Sequence, residues 1–163
     1  MANILVLGCG QVGGKVISYL EKIKDINVYC FARNKNQEYK NTTFITSYKT
    51  MLKPDILIEA LPGRTNIDVE FSYAILKKYL ENGISCISCN KMLIQRKGKE
   101  LCEIAKDNNA NLMLSSIMAI DSVKIDQSNF NNFGEEIYTF RGKNSEETAK
   151  SIIRDINILM EVL

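Results

Sequence analysis

Apolar residues along this chain fall into short unbroken runs separated by stretches with helical spacing. Ile4-Leu5-Val6-Leu7 is such a run, as expected of a strand buried on both faces. After a glycine turn, Val16, Ile17 and Leu20 give a helix over 12–24 a buried stripe. Asn27 to Phe31 reads as a second strand and Thr42 to Ile45 as a weaker third. Asp55 to Ala60, entered after Pro54, is the fourth. The spacing of Ile75, Leu76, Tyr79 and Leu80 predicts a helix over 68–81, stopped by Gly83. A strand over 84–88, a helix over 93–106 and a strand over 112–114 complete the series. This alternation predicts an α/β fold with a parallel sheet, right-handed crossovers and helices on both faces.

The rhythm changes after residue 116. Residues 128–136 are polar and read as a loop, and Ile137 to Arg141 as one more strand. Ser145 is placed to cap a final helix, with Glu146 and Glu147 in its first turn. Ala149, Ile152, Ile153, Ile156, Leu159, Met160 and Leu163 make one long apolar stripe on that helix, widened by Ile158 and Val162. A sheet covered by its own crossover helices leaves such a stripe little to bury against. The expectation is therefore a domain over 1–116 and a short C-terminal extension over 117–163 that pairs the chain as a homodimer.

A length of 163 residues suits one such domain with a small appendage. With 21 basic and 19 acidic residues the net charge is +2, which gives no reason to expect nucleic acid or an anionic membrane as partner. No apolar run approaches the ~20 residues that span a bilayer. The first residues lack the basic start and longer apolar core of a signal peptide, so a cytoplasmic protein is expected. Five cysteines, an odd number scattered through core-like segments, suggest reduced thiols. Histidine is absent, which removes imidazole acid–base and metal chemistry. Cys86 and Cys89 form C-x-x-C, but residues i and i+3 of a strand face opposite ways, so no metal site is expected.

Candidate chemistry begins at Gly8-Cys9-Gly10-Gln11-Val12-Gly13, which fits G-x-G-x-x-G between a buried strand and an amphipathic helix. In a Rossmann-type, doubly wound sheet, Gly8 would permit the tight turn, Gly10 the close approach of a pyrophosphate, and Gly13 close helix–strand packing. Free amides at the helix start, Gln11 and Val12 among them, would meet the phosphates. The second strand then ends in Phe31-Ala32-Arg33-Asn34-Lys35, with no carboxylate for a ribose 2′-hydroxyl. Arg33 suits a 2′-phosphate instead, so NADP is favoured and NAD is the alternative. The remaining strand ends add Leu61-Pro62-Gly63, Cys89-Asn90-Lys91 and Ser115-Ser116 to the rim. Lys91 points either at a bound nicotinamide and substrate or into solvent; position alone leaves both open.

At these residues the chain resembles two related families. The glycine loop, Asp55-Ile56-Leu57-Ile58-Glu59-Ala60 and Cys89-Asn90-Lys91-Met92-Leu93 are similar to the nucleotide-binding domain of homoserine dehydrogenases. That resemblance implies an active-site role for Lys91. Ser115 to Lys124 and Gly142 to Lys150, with Asp155-Ile156-Asn157-Ile158, are similar to segments of L-aspartate dehydrogenases. Ser115 and Ser116 would then lie on the substrate side, facing a small molecule of the amino-acid class. Both families use a further catalytic portion, with a histidine in one and acidic residues and a second lysine in the other, that this chain does not show. Two functions follow: an NAD(P)-dependent oxidoreductase, or a dinucleotide-binding sensor, regulator or subunit that needs a partner for chemistry.

Overall fold

The computed structural model describes residues 1–34, 37–50, 53–114, 116–117 and 144–162. The expected loop over 128–136 and strand over 137–141 lie outside these residues, as do Lys35, Ser115 and Leu163. Strands β1 (Ala2–Leu7), β2 (Ile26–Phe31), β3 (Thr42–Ile45), β4 (Ile56–Glu59), β5 (Ser85–Ser88) and β6 (Leu112–Met113) form one sheet. Their order is β3-β2-β1-β4-β5-β6 and every pairing is parallel. The chain winds outward in both directions from β1 and β4, so a crevice opens between their carboxyl ends.

The strands are apolar throughout because both sheet faces are covered. Leu5, Leu7, Leu57, Cys86 and Leu112 pack under α2 (Asn66–Glu81) and α3 (Lys91–Asp107). Ile4, Val6, Ile56, Ile58, Ile87 and Met113 face the other way, under α1 (Gln11–Leu20) and α4 (Ser145–Met160). Full burial of each large side chain contributes about 1.5–3 kcal/mol. Cys86 belongs to the first layer and Cys89 packs against the second, so the C-x-x-C thiols lie on opposite faces. All five cysteines are free thiols.

Several element boundaries differ from the sequence expectation, each for a local reason. Helix α1 stops at Leu20; the amides of Lys22 and Ile23 drop to 3₁₀-type bonds, and the Glu21 carboxylate is taken by Asn41 N–H (2.7 Å) and the Thr42 hydroxyl (2.8 Å). Helix α2 starts two residues early because Thr65 and Asp68 cap it reciprocally. Helix α3 also starts two residues early, capped by the Asn90 side chain. The last helix is capped by Asn144, which accepts from Glu146 and Glu147 N–H, both at 3.0 Å; Ser145 is its first helical residue.

The larger correction concerns α4. Its stripe is not an outward association surface: Ala149, Ile152, Ile156 and Leu159 are buried against α1 and the sheet of the same chain. A charged joint reinforces this packing, with Lys15 Nζ 2.9 Å from Glu146 Oε2 and the Tyr19 hydroxyl donating to Glu146 Oε1. Only the flanking Ile158 and Val162 stay exposed among the large apolar residues described on this segment. Helix α4 thus completes the second helical layer, and the case for pairing through this stripe loses its basis.

Candidate functional site

The turn from β1 into α1 is shaped by what it leaves out. Gly8 adopts φ +95°, and a Cβ there would stand 2.5 Å from the carbonyl oxygen of Ala60 on the neighbouring strand. A Cβ on Gly13 would stand 2.1 Å from the carbonyl oxygen of Gly8, so helix and turn touch backbone to backbone. Gly10 is different: a Cβ there would meet nothing within 4 Å. Gly10 is also the N-cap residue of α1 and offers no side-chain cap, and the first turn holds no acidic residue. Amide donors and the positive end of the helix dipole are therefore presented to whatever lies beyond Gly10.

What lies beyond is a cavity of about 670 Å³ at the switch point. Among the predicted site residues it gathers Gly8, Gly10, Gln11 and Val12 from the turn, Arg33 and Asn34 from the end of β2, and Leu61 and Pro62 from the end of β4. Gly13, Asn90, Lys91 and Ser116 stand outside the lining. Lys91 is exposed, as the first residue of α3. Ser116 is buried and donates to the Ser88 carbonyl (3.1 Å). Arg64, Asp68 and Phe71, from the start of α2 and the turn before it, line the cavity without having been predicted. Their signal was present in Thr65-x-x-Asp68, a capping pattern that marks a helix start at the rim. Asp68 holds its charge firmly: the Thr65 hydroxyl and the amides of Thr65 and Arg64 keep its carboxyl below the usual range, and Arg33 adds a smaller pull.

Beside the cavity sits a second polar cluster, of which sequence reasoning singled out Asn90 but not the buried Glu59 at its centre. Glu59, at the end of β4, is fully buried. Its carboxylate accepts from the Ser88 hydroxyl (2.7 Å), the Ser72 hydroxyl (3.0 Å), Leu61 N–H (3.2 Å) and the Asn90 side-chain amide (3.4 Å). Burial nevertheless outweighs these donors and raises its carboxyl above the usual range. Asn90 also accepts from Leu93 N–H (3.1 Å), so its side chain is spoken for at both ends. A Cβ on Gly63 would fall 2.1 Å from Asn90 Oδ1, which shows how closely the 61–63 turn lies on it. Burial also lifts the Cys30 thiol, to about 12, and raises Cys86 and Cys89 well above the usual thiol range, so none of these is a ready nucleophile. Among the described residues no cluster of metal-ligating side chains occurs, and no helix is long and apolar enough to cross a membrane.

A parallel doubly wound sheet with a glycine turn, an uncapped helix start and a cavity at its switch point defines the class of Rossmann-type dinucleotide-binding folds. The sequence profile of the homoserine dehydrogenase NAD-binding domain matches residues 8–115. The chain belongs to that family. Among solved structures, homoserine dehydrogenase from S. aureus superposes with a TM-score of 0.57 at 23% identity, over 72% of this chain and 33% of that one. The enzyme from Thiobacillus denitrificans gives 0.58 at 17% identity, over 71% and 29%. A mutant hyperthermophilic archaeal homoserine dehydrogenase in complex with NADPH gives 0.51 at 19%, over 71% and 44%. These likenesses establish the fold; the chain spans about a third of the length of the first two. No curated protein sequence matches it.

Proposed function

We propose that this chain holds NADP(H), with NAD(H) as the weaker ligand, and serves as the cofactor-binding part of an NAD(P)-dependent oxidoreductase of the homoserine dehydrogenase type. The observation that carries the reading is the open space beyond Gly10, framed by the start of α1 and by Arg33 and Arg64. The α1 amides would bind the pyrophosphate and Arg33 the 2′-phosphate. Leu61 and Pro62 would exclude water from one wall. A bound nicotinamide supplies the hydride exchange, and the protein's part is to bind, orient and screen it. The substrate would be a small molecule of the amino-acid class.

A second reading, a dinucleotide-binding subunit without chemistry of its own, is favoured by one observation: Lys91 lies outside the cavity lining. Titration with NADPH and NADH, followed by fluorescence, tests the common core of both. Binding of NADPH in preference to NADH is expected. Arg33→Ala should remove one charge-assisted contact worth about 1.5–3 kcal/mol, a loss of roughly tenfold to a hundredfold in NADPH affinity. Binding of neither dinucleotide at millimolar concentration would overturn the proposal. Turnover of an amino-acid-type substrate by the same protein would then separate enzyme from subunit.

A further inference from the structure

Folds of this type commonly read the ribose with an acidic residue at the end of the second strand. Here that strand end carries Arg33 and Asn34, both lining the cavity. The structure nevertheless brings a carboxylate to the same cavity from a different element. Asp68 sits in the first turn of α2, and its Oδ2 accepts from Arg64 N–H (3.2 Å) and Thr65 N–H (2.9 Å). Those two amides fix the carboxylate at the cavity wall. Its charge interacts with that of Arg33, although the two form no close ion pair.

We propose that Asp68 is a specificity-determining residue of the cofactor site: its carboxylate accepts from the ribose 2′-hydroxyl of NAD(H) and offsets part of the attraction of Arg33 for a 2′-phosphate. This rests on the dinucleotide reading above and deepens it. A 2′-phosphate brought to Arg33 comes under the negative field of Asp68 as well, whereas a 2′-hydroxyl gains an acceptor. Arg33 and Asp68 thus act in opposite senses on one substituent of the cofactor, and the preference for NADP(H) is narrower than Arg33 alone would make it.

The test compares the ratio of NADPH to NADH affinity in the wild type, Asp68→Asn and Thr65→Ala. Asp68→Asn should shift the ratio toward NADPH by about two- to fivefold, the range of a solvent-screened charge pair. Thr65→Ala removes a partner of the same helix cap but keeps the charge, so its ratio should match the wild type. Melting curves run alongside verify folding, and Asp68→Ser reads out the same loss of charge should the Asn variant fail to fold. An unchanged ratio on neutralising Asp68 would overturn the inference, as would an equal shift in Thr65→Ala. Failure of the wild type to bind either dinucleotide would instead overturn the cofactor reading, and this inference with it.

Discussion

The carboxyl edge of the sheet contains two strand–turn–helix units of similar build and opposite fate. In one, β1 runs through the glycine turn into α1, whose first residues have no side-chain cap and look into the cavity. In the other, β5 runs through Cys89-Asn90 into α3, whose start is capped by Asn90 at 3.1 Å. Asn90 is held in turn by the buried Glu59. Both helices present the same amides and the same dipole. The difference is that α3 satisfies its own N-terminus, and an asparagine oxygen stands where an anion would otherwise bind. The start of α1 is left without a side-chain cap, which is what the proposed dinucleotide site requires.

The comparison breaks most sharply at the glycines. Gly10→Val should abolish dinucleotide binding with little change in Tm, because its side chain enters open space rather than protein. Gly13→Ala should do the reverse: its Cβ falls on the Gly8 carbonyl. Such overpacking costs about 1–3 kcal/mol, lowering Tm by roughly 3–10 °C. Melting curves and cofactor titration on both variants check the pair; equal loss of stability in the two would erase the distinction.

At the finished end, Glu59→Gln should cost about 1–3 kcal/mol, because the amide brings two buried N–H donors into a ring of groups that already donate to this side chain, where the protonated carboxyl brings one. The sign with pH is defined. The Glu59 carboxyl is raised above its ordinary 4.5 in the folded state, so the native protein binds more protons than the unfolded one. That contribution is fully present below about 4.5 and is lost as pH rises through the raised value. The gap between wild type and Glu59→Gln should therefore narrow as pH rises above 4.5. Denaturant melts across that range measure it, and a widening gap would contradict the assignment. The smallest effect is expected at Lys91→Ala, with NADPH affinity changed by less than about twofold, since Lys91 is exposed and contributes no lining. A tenfold loss in that titration would bring α3 into the binding site.

Much of this was readable in the order of residues. The run Ile4 to Leu7, the glycine spacing and the stripe of α1 needed no tertiary knowledge, because strand burial and turn sterics are local. The tips of α2 and α3 were less legible: Thr65, Asp68 and Asn90 cap through side-chain bonds to the backbone, which a hydrophobic period does not reveal. Glu59 looked like part of an apolar strand; only the fold brings Ser72 and Ser88 to it. The face of α4 was misread for a topological reason. Helices α2 and α3 both lie on one side of the sheet, and the described residues between β2 and β4 hold only β3 and a single 3₁₀ turn at Tyr48–Thr50. The opposite side was therefore short of a helix, and the weak helical signal across that interval was the available clue.

The joint between α4 and α1 also has a consequence in time. Lys15 and Tyr19 meet Glu146 across 131 and 127 residues of chain, so one face of the sheet is closed by partners that are far apart in synthesis. Ribosomes add about 5–20 residues per second, which separates the emergence of α1 from that of its partner by roughly 6–26 seconds. During that interval Val16, Ile17 and Leu20 have no α4 to pack against. Contacts of such long sequence separation also form late in refolding, because the loop entropy must be overcome before they stabilise anything. Throughout that interval the apolar face of α1 that α4 later covers stays open in the nascent chain.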